Sequence, residues 1–224
     1  MPTPHTAGVL VDELLRRVRD PQATGLSREQ ALFVLSHAQR VTNAALAQVL
    51  SKETITLEPR RLIYQVSELP FGEHCVRPVA VKAGSTTIPP CPWRSLGQTN
   101  RRWFRAVGMP RLWSMIGRDL LVIYPAHGRR LDVEITFVKL TDMLINEDQT
   151  PELPDETYTV ILDLAEGWVQ IRNRLFSSAY AALGRAYGRL GIKRPSAPGS
   201  PVENPGAAPE SAIALEGAPS GDES

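Results

Sequence analysis

The hydrophobic period of this chain changes twice, and that double change limits its folds more than any single motif. Up to Leu50 the apolar residues recur at helical spacing. Beyond it Ile55 and Leu57 alternate with Thr54 and Thr56, and Leu62, Tyr64 and Val66 follow the connection Glu58-Pro59-Arg60-Arg61. Alternation marks half-buried strands, whereas spacings of three and four mark one face of a helix. Helical spacing returns past Pro151 and Pro154, in a stripe from Val160 through Leu164, Trp168 and Ile171 to Leu190. The order helix, helix, strands, helix predicts an α+β fold: an α-helical bundle from residues 6–50 and 153–194, with an antiparallel β-domain, 51–152, inserted in it.

Local signals refine this outline. Thr6 is placed to cap a first helix through Val11, Leu14, Leu15 and Val18, with Arg16, Arg17 and Arg19 where the helix dipole favours cations and Asp20-Pro21 as its stop. Ser27 and Gln30 form a capping box for a second helix. Its periodicity puts Ala31, Val34, Ala38, Val41, Ala45 and Val49 on the buried face and Ser36, Arg40 and Asn43 opposite. Three strand pairings are expected: Ile55–Leu57 with Leu62–Val66, Val79–Val81 with Thr86–Ile88 across Gly84-Ser85, and Leu120–Tyr124 with Leu131–Phe137. Pro89, Pro90 and Pro92 interrupt the strands, and a short helical or irregular excursion leads from Trp93 to Met109. The closing stripe reads as a helix about 50 Å long, with Gly167, Gly184 and Gly188 as its weak points.

At 224 residues the chain can bury roughly 70% of its unfolded surface without a staple or metal. Two cysteines are too few for a disulfide framework, the N-terminus has no charged-then-apolar leader, and no apolar run approaches membrane-spanning length. These features predict a soluble protein made in a reducing compartment. Residues 195–224 hold six prolines, four glycines, five acids and no base, which predicts a disordered acidic tail. Without those five acids the body has 25 basic and 19 acidic residues, a formal +6.

Catalytic constellations are not found in this pattern. His74, Cys75, Cys91 and His127 are the available soft metal ligands, but they lack the close pairs from which zinc sites are built. No Gly-x-Ser-x-Gly elbow or phosphate-cradling glycine loop occurs, and His37 sits at the margin of an apolar helix face. The adjacent acids Asp12-Glu13 and Asp155-Glu156 point to different sides of a helix. The expectation is a non-enzyme without cofactor or metal.

The stretch Arg101, Arg102, Trp103, Phe104, Arg105, followed by Arg111 and Trp113, has the makings of a surface. Rings that stack on bases beside arginines that meet phosphates would make a single-strand platform. Alternatively the aromatics are core and the arginines a rim facing another protein subunit. A modest +6 spread over the body favours the protein contact, with a small basic nucleic-acid-binding module as the alternative.

An ordered set of segments resembles the head-to-tail adaptor (connector) proteins of tailed bacteriophages. The centre of the likeness is Trp103, then Gly108-x-Pro110, then Leu121-Val122-Ile123-Tyr124-Pro125, then the alternating stretch Leu131 to Val138. Leu14–Arg19, Gly25–Ala45 with Ala38-Gln39-Arg40, Val79–Leu96, and Leu153-Pro154-Asp155-Glu156 follow the family order, so the likeness covers about residues 8–190. Ser36-His37 and Ala83 depart from it, standing where the family often has Asn-Glu and an Asn or Asp. The resemblance implies a virion structural protein of the neck, synthesised in the bacterial host cytoplasm. It would assemble as a ring, a dodecamer in the family, between the portal protein and a tail or nozzle protein. Genomic double-stranded DNA would touch the lumen transiently, and no membrane is involved.

Overall fold

The computed structural model describes residues 6–20, 22–99 and 102–192; the predicted tail, 195–224, lies outside them. The protein is mixed α+β, with five helices and two antiparallel sheets among the described residues. In chain order these are α1 (Ala7–Arg17), α2 (Arg28–Leu46), β1 (Leu50–Leu57), β2 (Ile63–Gln65), β3 (Cys75–Ala83), β4 (Thr86–Ile88), α3 (Trp93–Thr99), β5 (Leu112–Ile116), β6 (Leu120–Tyr124), β7 (Leu131–Lys139), α4 (Tyr158–Arg172) and α5 (Phe176–Arg189).

The first helix begins at Thr6, yet the Thr6 side chain makes no cap bond. Instead the amides of Ala7 and Gly8 donate to the carbonyls of Gln149 and Glu147, so a distant loop satisfies the helix end. The capping box of α2 forms as expected, Ser27 accepting from the Gln30 amide and Gln30 from the Ser27 amide. The buried face of α2 is rotated from the predicted one: Ser36 and Asn43 are buried and Val41 is exposed. Polar chemistry explains the rotation. Ser36 Oγ accepts from the Leu144 amide, and Asn43 accepts from the Val49 amide and donates to the Lys139 carbonyl at 2.7 Å. These side chains serve as backbone partners for the segment leaving β7, which periodicity alone reads as solvent-facing.

The four-stranded sheet runs β1-β7-β3-β4 and the three-stranded sheet β2-β6-β5. Only the hairpin β3–β4 matches its expected pairing, turning on Gly84 at φ +58. Leu57 pairs with Leu131 and Ile63 with Val122, so the stretch after Glu58 crosses between sheets instead of closing a hairpin. Likewise Leu120–Tyr124 pairs with Leu112–Ile116 across the tight turn at Gly117, and β7 lies between β1 and β3. Alternation tells which side chains share a face; it does not name the partner strand.

Ile55, Val81, Ile135 and Phe137 from the first sheet meet Tyr64, Trp113, Leu121 and Ile123 from the second in one apolar cluster. Val122, on the opposite face of β6, joins Leu62, Leu96 and Ala126 in a smaller one. A third cluster is helical, built from α1, α2, α4 and α5 with Leu144 and Leu153. The closing stripe is not one long helix: it breaks at Asn173-Arg174-Leu175, with Arg174 at φ +60, and none of the three glycines marks the break. The fold-back lets α5 lie antiparallel on α4, with Leu183 over Gly167 and Arg185 beside Glu166. Buried Asp163 of α4 accepts from Arg17 of α1 at 3.0 Å, from Arg185 at 3.2 Å, and from Arg189.

Candidate interaction surface

Of the arginine and aromatic residues singled out in sequence, Arg101 lies outside the described residues, and the others separate by depth. Trp113 on β5 is 6% exposed and belongs to the inter-sheet core, so its ring is not offered to a base or a partner. Trp103, on the short 3-10 turn Trp103–Arg105, is half-buried against the cluster of Leu62, Leu96, Val122 and Ala126. Phe104 is 58% exposed, its ring edge-on to Trp103 at 6.5 Å and under the Arg105 guanidinium at 5.5 Å. Arg102 and Arg111 are exposed, and the Arg111 amide donates to Tyr124. The stretch therefore divides into a buried anchor, Trp113 and Trp103, and an exposed rim at Phe104 and Arg105.

Backbone bonds bring two further loops to that rim. The Arg60 amide donates to the His127 carbonyl at 2.7 Å, the Gly108 amide to Ala126, and the Ala126 amide to Ala106. Arg60, Phe104, Arg105, Val107 and Ala126 line one depression. Exposed Val107 and Met109 extend it, and exposed Arg129 and Arg130 follow Gly128, whose Cα faces the Val107 side chain. Among the described residues no carboxylate lies in ion-pair range of Arg60, Arg105, Arg129 or Arg130; the nearby acid Glu58 is taken by Arg61. Sequence inspection alone missed Arg60, Arg129 and Arg130. The Arg129-Arg130 doublet was the available signal, and the approach of the preceding Gly128 to Val107 is a tertiary fact.

On the helical side a second exposed apolar surface appears. Leu32, Phe33, Met143, Leu144 and Ile145 line a shallow groove with Glu29 at its edge. Phe33 is 57% and Ile145 74% exposed. The turn 145–149 is closed by Gln149, whose side-chain oxygen accepts from the amides of Ile145 and Asn146, and it presents exposed Asp148. Glu147 is held by Arg28, whose hydrogen bonds keep that carboxyl below its ordinary range.

The soft ligands do not converge. Among the described residues no group of three or more His, Cys, Asp and Glu side chains is placed to hold a metal ion. Burial pushes the Cys75 thiol up to about 11 and raises that of Cys91, so both are protonated at neutral pH. His127 Nδ1 contacts the Arg129 carbonyl at 2.9 Å, and the His37 ring meets Phe33 edge-on. No helix among the described residues is long and apolar enough to cross a membrane. No protein-family model matches the chain, and no curated protein matches it.

Proposed function

We propose that this chain is a non-enzymatic head-to-tail adaptor of a tailed bacteriophage, forming a ring that joins the portal to the tail and lets DNA pass. The observation that carries the reading is the distribution of the apolar clusters along the chain. Helices flanking the strands on both sides share one cluster, while the described strands lie between them in sequence and share two others. That distribution supports the α-helical bundle with an inserted β-domain expected from the order of hydrophobic periods. The segment Trp103 to Pro125 supports it as a structural unit: Trp103, Leu112, Val122 and Tyr124 pack together around β6. In the virion the protein would sit at the neck, touching the portal protein above and a tail or nozzle protein below.

The test is single-particle mass of the purified chain alone and mixed with the portal ring encoded beside it. A portal peak heavier by about a dozen subunit masses is the expected outcome, and a portal that never gains mass removes the adaptor reading.

A second reading, a small basic nucleic-acid-binding module, draws on Arg60 and Arg105 beside the exposed Phe104 ring. It predicts binding to labelled single- or double-stranded DNA that falls steeply with salt. Probes left unshifted at low salt dismiss it.

A further inference from the structure

Charge is sorted along the described body. Residues 75–131 hold ten lysines and arginines against one acid, Asp119, and residues 141–156 hold six acids and no base. The basic stretch supplies Arg105, Arg129 and Arg130 to the first surface described above, and the acidic stretch supplies Ile145 and Asp148 to the second. At the first, Phe104, Val107 and Met109 are exposed among the unpaired cations Arg60, Arg105, Arg129 and Arg130. At the second, Phe33 and Ile145 are exposed beside Glu29 and Asp148, neither of which has a cationic partner among the described residues.

We propose that these surfaces are the two halves of one contact between copies of this chain. The arginine-bordered depression at Phe104 of one copy meets the acid-flanked apolar surface of Phe33 and Ile145 of the next. The exposed apolar side chains supply the area removed from water, and the charges set partner choice and register. Pairing either surface with itself would set like charges together, which disfavours a two-fold dimer. Because the halves lie on different elements, one copy can use both at once, and the association runs head to tail, closing into a ring where the rotation between copies permits. The proposal deepens the adaptor reading and rests on it for the ring; the contact itself is tested without the portal.

The experiment is sedimentation of the full chain up to roughly 100 μM, a range that captures micromolar contacts. It is run at about 50 mM and about 500 mM salt, where exposed charges are weakly and strongly screened. Two variants are compared, Arg105→Glu with Arg129→Glu, and Glu29→Lys with Asp148→Lys, each checked for native circular dichroism. The wild type is expected to associate, more weakly at high salt. Each variant alone should lose roughly a hundredfold in self-affinity, about tenfold per reversed charge.

An equimolar mixture of the two variants should associate again, because each supplies the complement that the other lacks. Should a charge reversal unfold the chain, Phe104→Ser and Ile145→Ser make the same comparison, one on each surface. A wild type that stays monomeric, variants that associate like the wild type, or a mixture that stays monomeric overturns the contact. All three results leave the adaptor reading to be decided by the portal mass shift. Association that follows the charge reversals beside a portal that gains no mass keeps the contact and removes the adaptor.

Discussion

Asp163 shows what a single side chain does in this fold. Its carboxylate is almost wholly buried, and three arginines from α1 and α5 reach it, so α4 binds both neighbours through one group. Its replacement takes from Arg189 its ion-pair partner, while Arg17 keeps Glu13 and Arg185 keeps Glu166. Asp163→Asn is expected to lower the unfolding free energy by about 2–3 kcal/mol, less than a fully buried pair because Arg185 and Arg189 reach solvent. Urea titration measures it. Asp20 acts locally: the Thr24 hydroxyl first, then the amides of Leu26, Thr24 and Gly25, hold its carboxyl at about 2. A depressed folded-state value means the contribution is present above the usual carboxylate range, near pH 4, and is lost as pH falls toward 2. The difference in urea midpoint between the wild type and Asp20→Asn should therefore shrink between pH 5 and 2. The Ser27 capping box was legible in sequence because both partners lie within one turn. The Asp163 cluster was not, since Arg17 is 146 positions away.

At the scale of elements, close approach decides more than propensity. A methyl group at Gly167 would stand 2.6 Å from Leu183 Cγ, so any side chain there forces Leu183 to shift. Alanine would improve helix propensity by about 1 kcal/mol, yet overpacking costs about 1–3 kcal/mol. Gly167→Ala is therefore expected to be net destabilising, by about 1 kcal/mol, in thermal or urea unfolding. The existence and type of most elements could be read from period and turn residues, including α1, α2, the β3–β4 hairpin and the excursion after Trp93. Strand partners could not, because β1 finds β7 across more than 70 residues. The candidate surface followed the same rule: Phe104 and Arg105 were visible as one stretch, while Arg60 is brought in by the bond of its amide to His127, and Arg129 follows Gly128, which faces Val107.

For the whole molecule, the helical and inter-sheet clusters are connected largely through α2, where Ser36, Arg40 and Asn43 bind the segment 139–145. Native-state hydrogen exchange is expected to sort amides of α1, α2 and α4 into one cooperative group and those of β3, β6 and β7 into another. Asn43→Ala, which strands the Val49 amide and the Lys139 carbonyl, should cost about 1–3 kcal/mol and widen the gap between the groups. A single opening energy for all these amides would show that the clusters unfold as one body. The sorting of charge along the chain has a practical side as well. With a formal net charge of +1 there is little mutual repulsion to keep molecules apart, while each carries a basic stretch, 75–131, and an acidic one, 141–156. Such a protein salts in: it should precipitate or cloud on dialysis into dilute buffer, and clear again as added ions screen one molecule's basic stretch from another's acidic one.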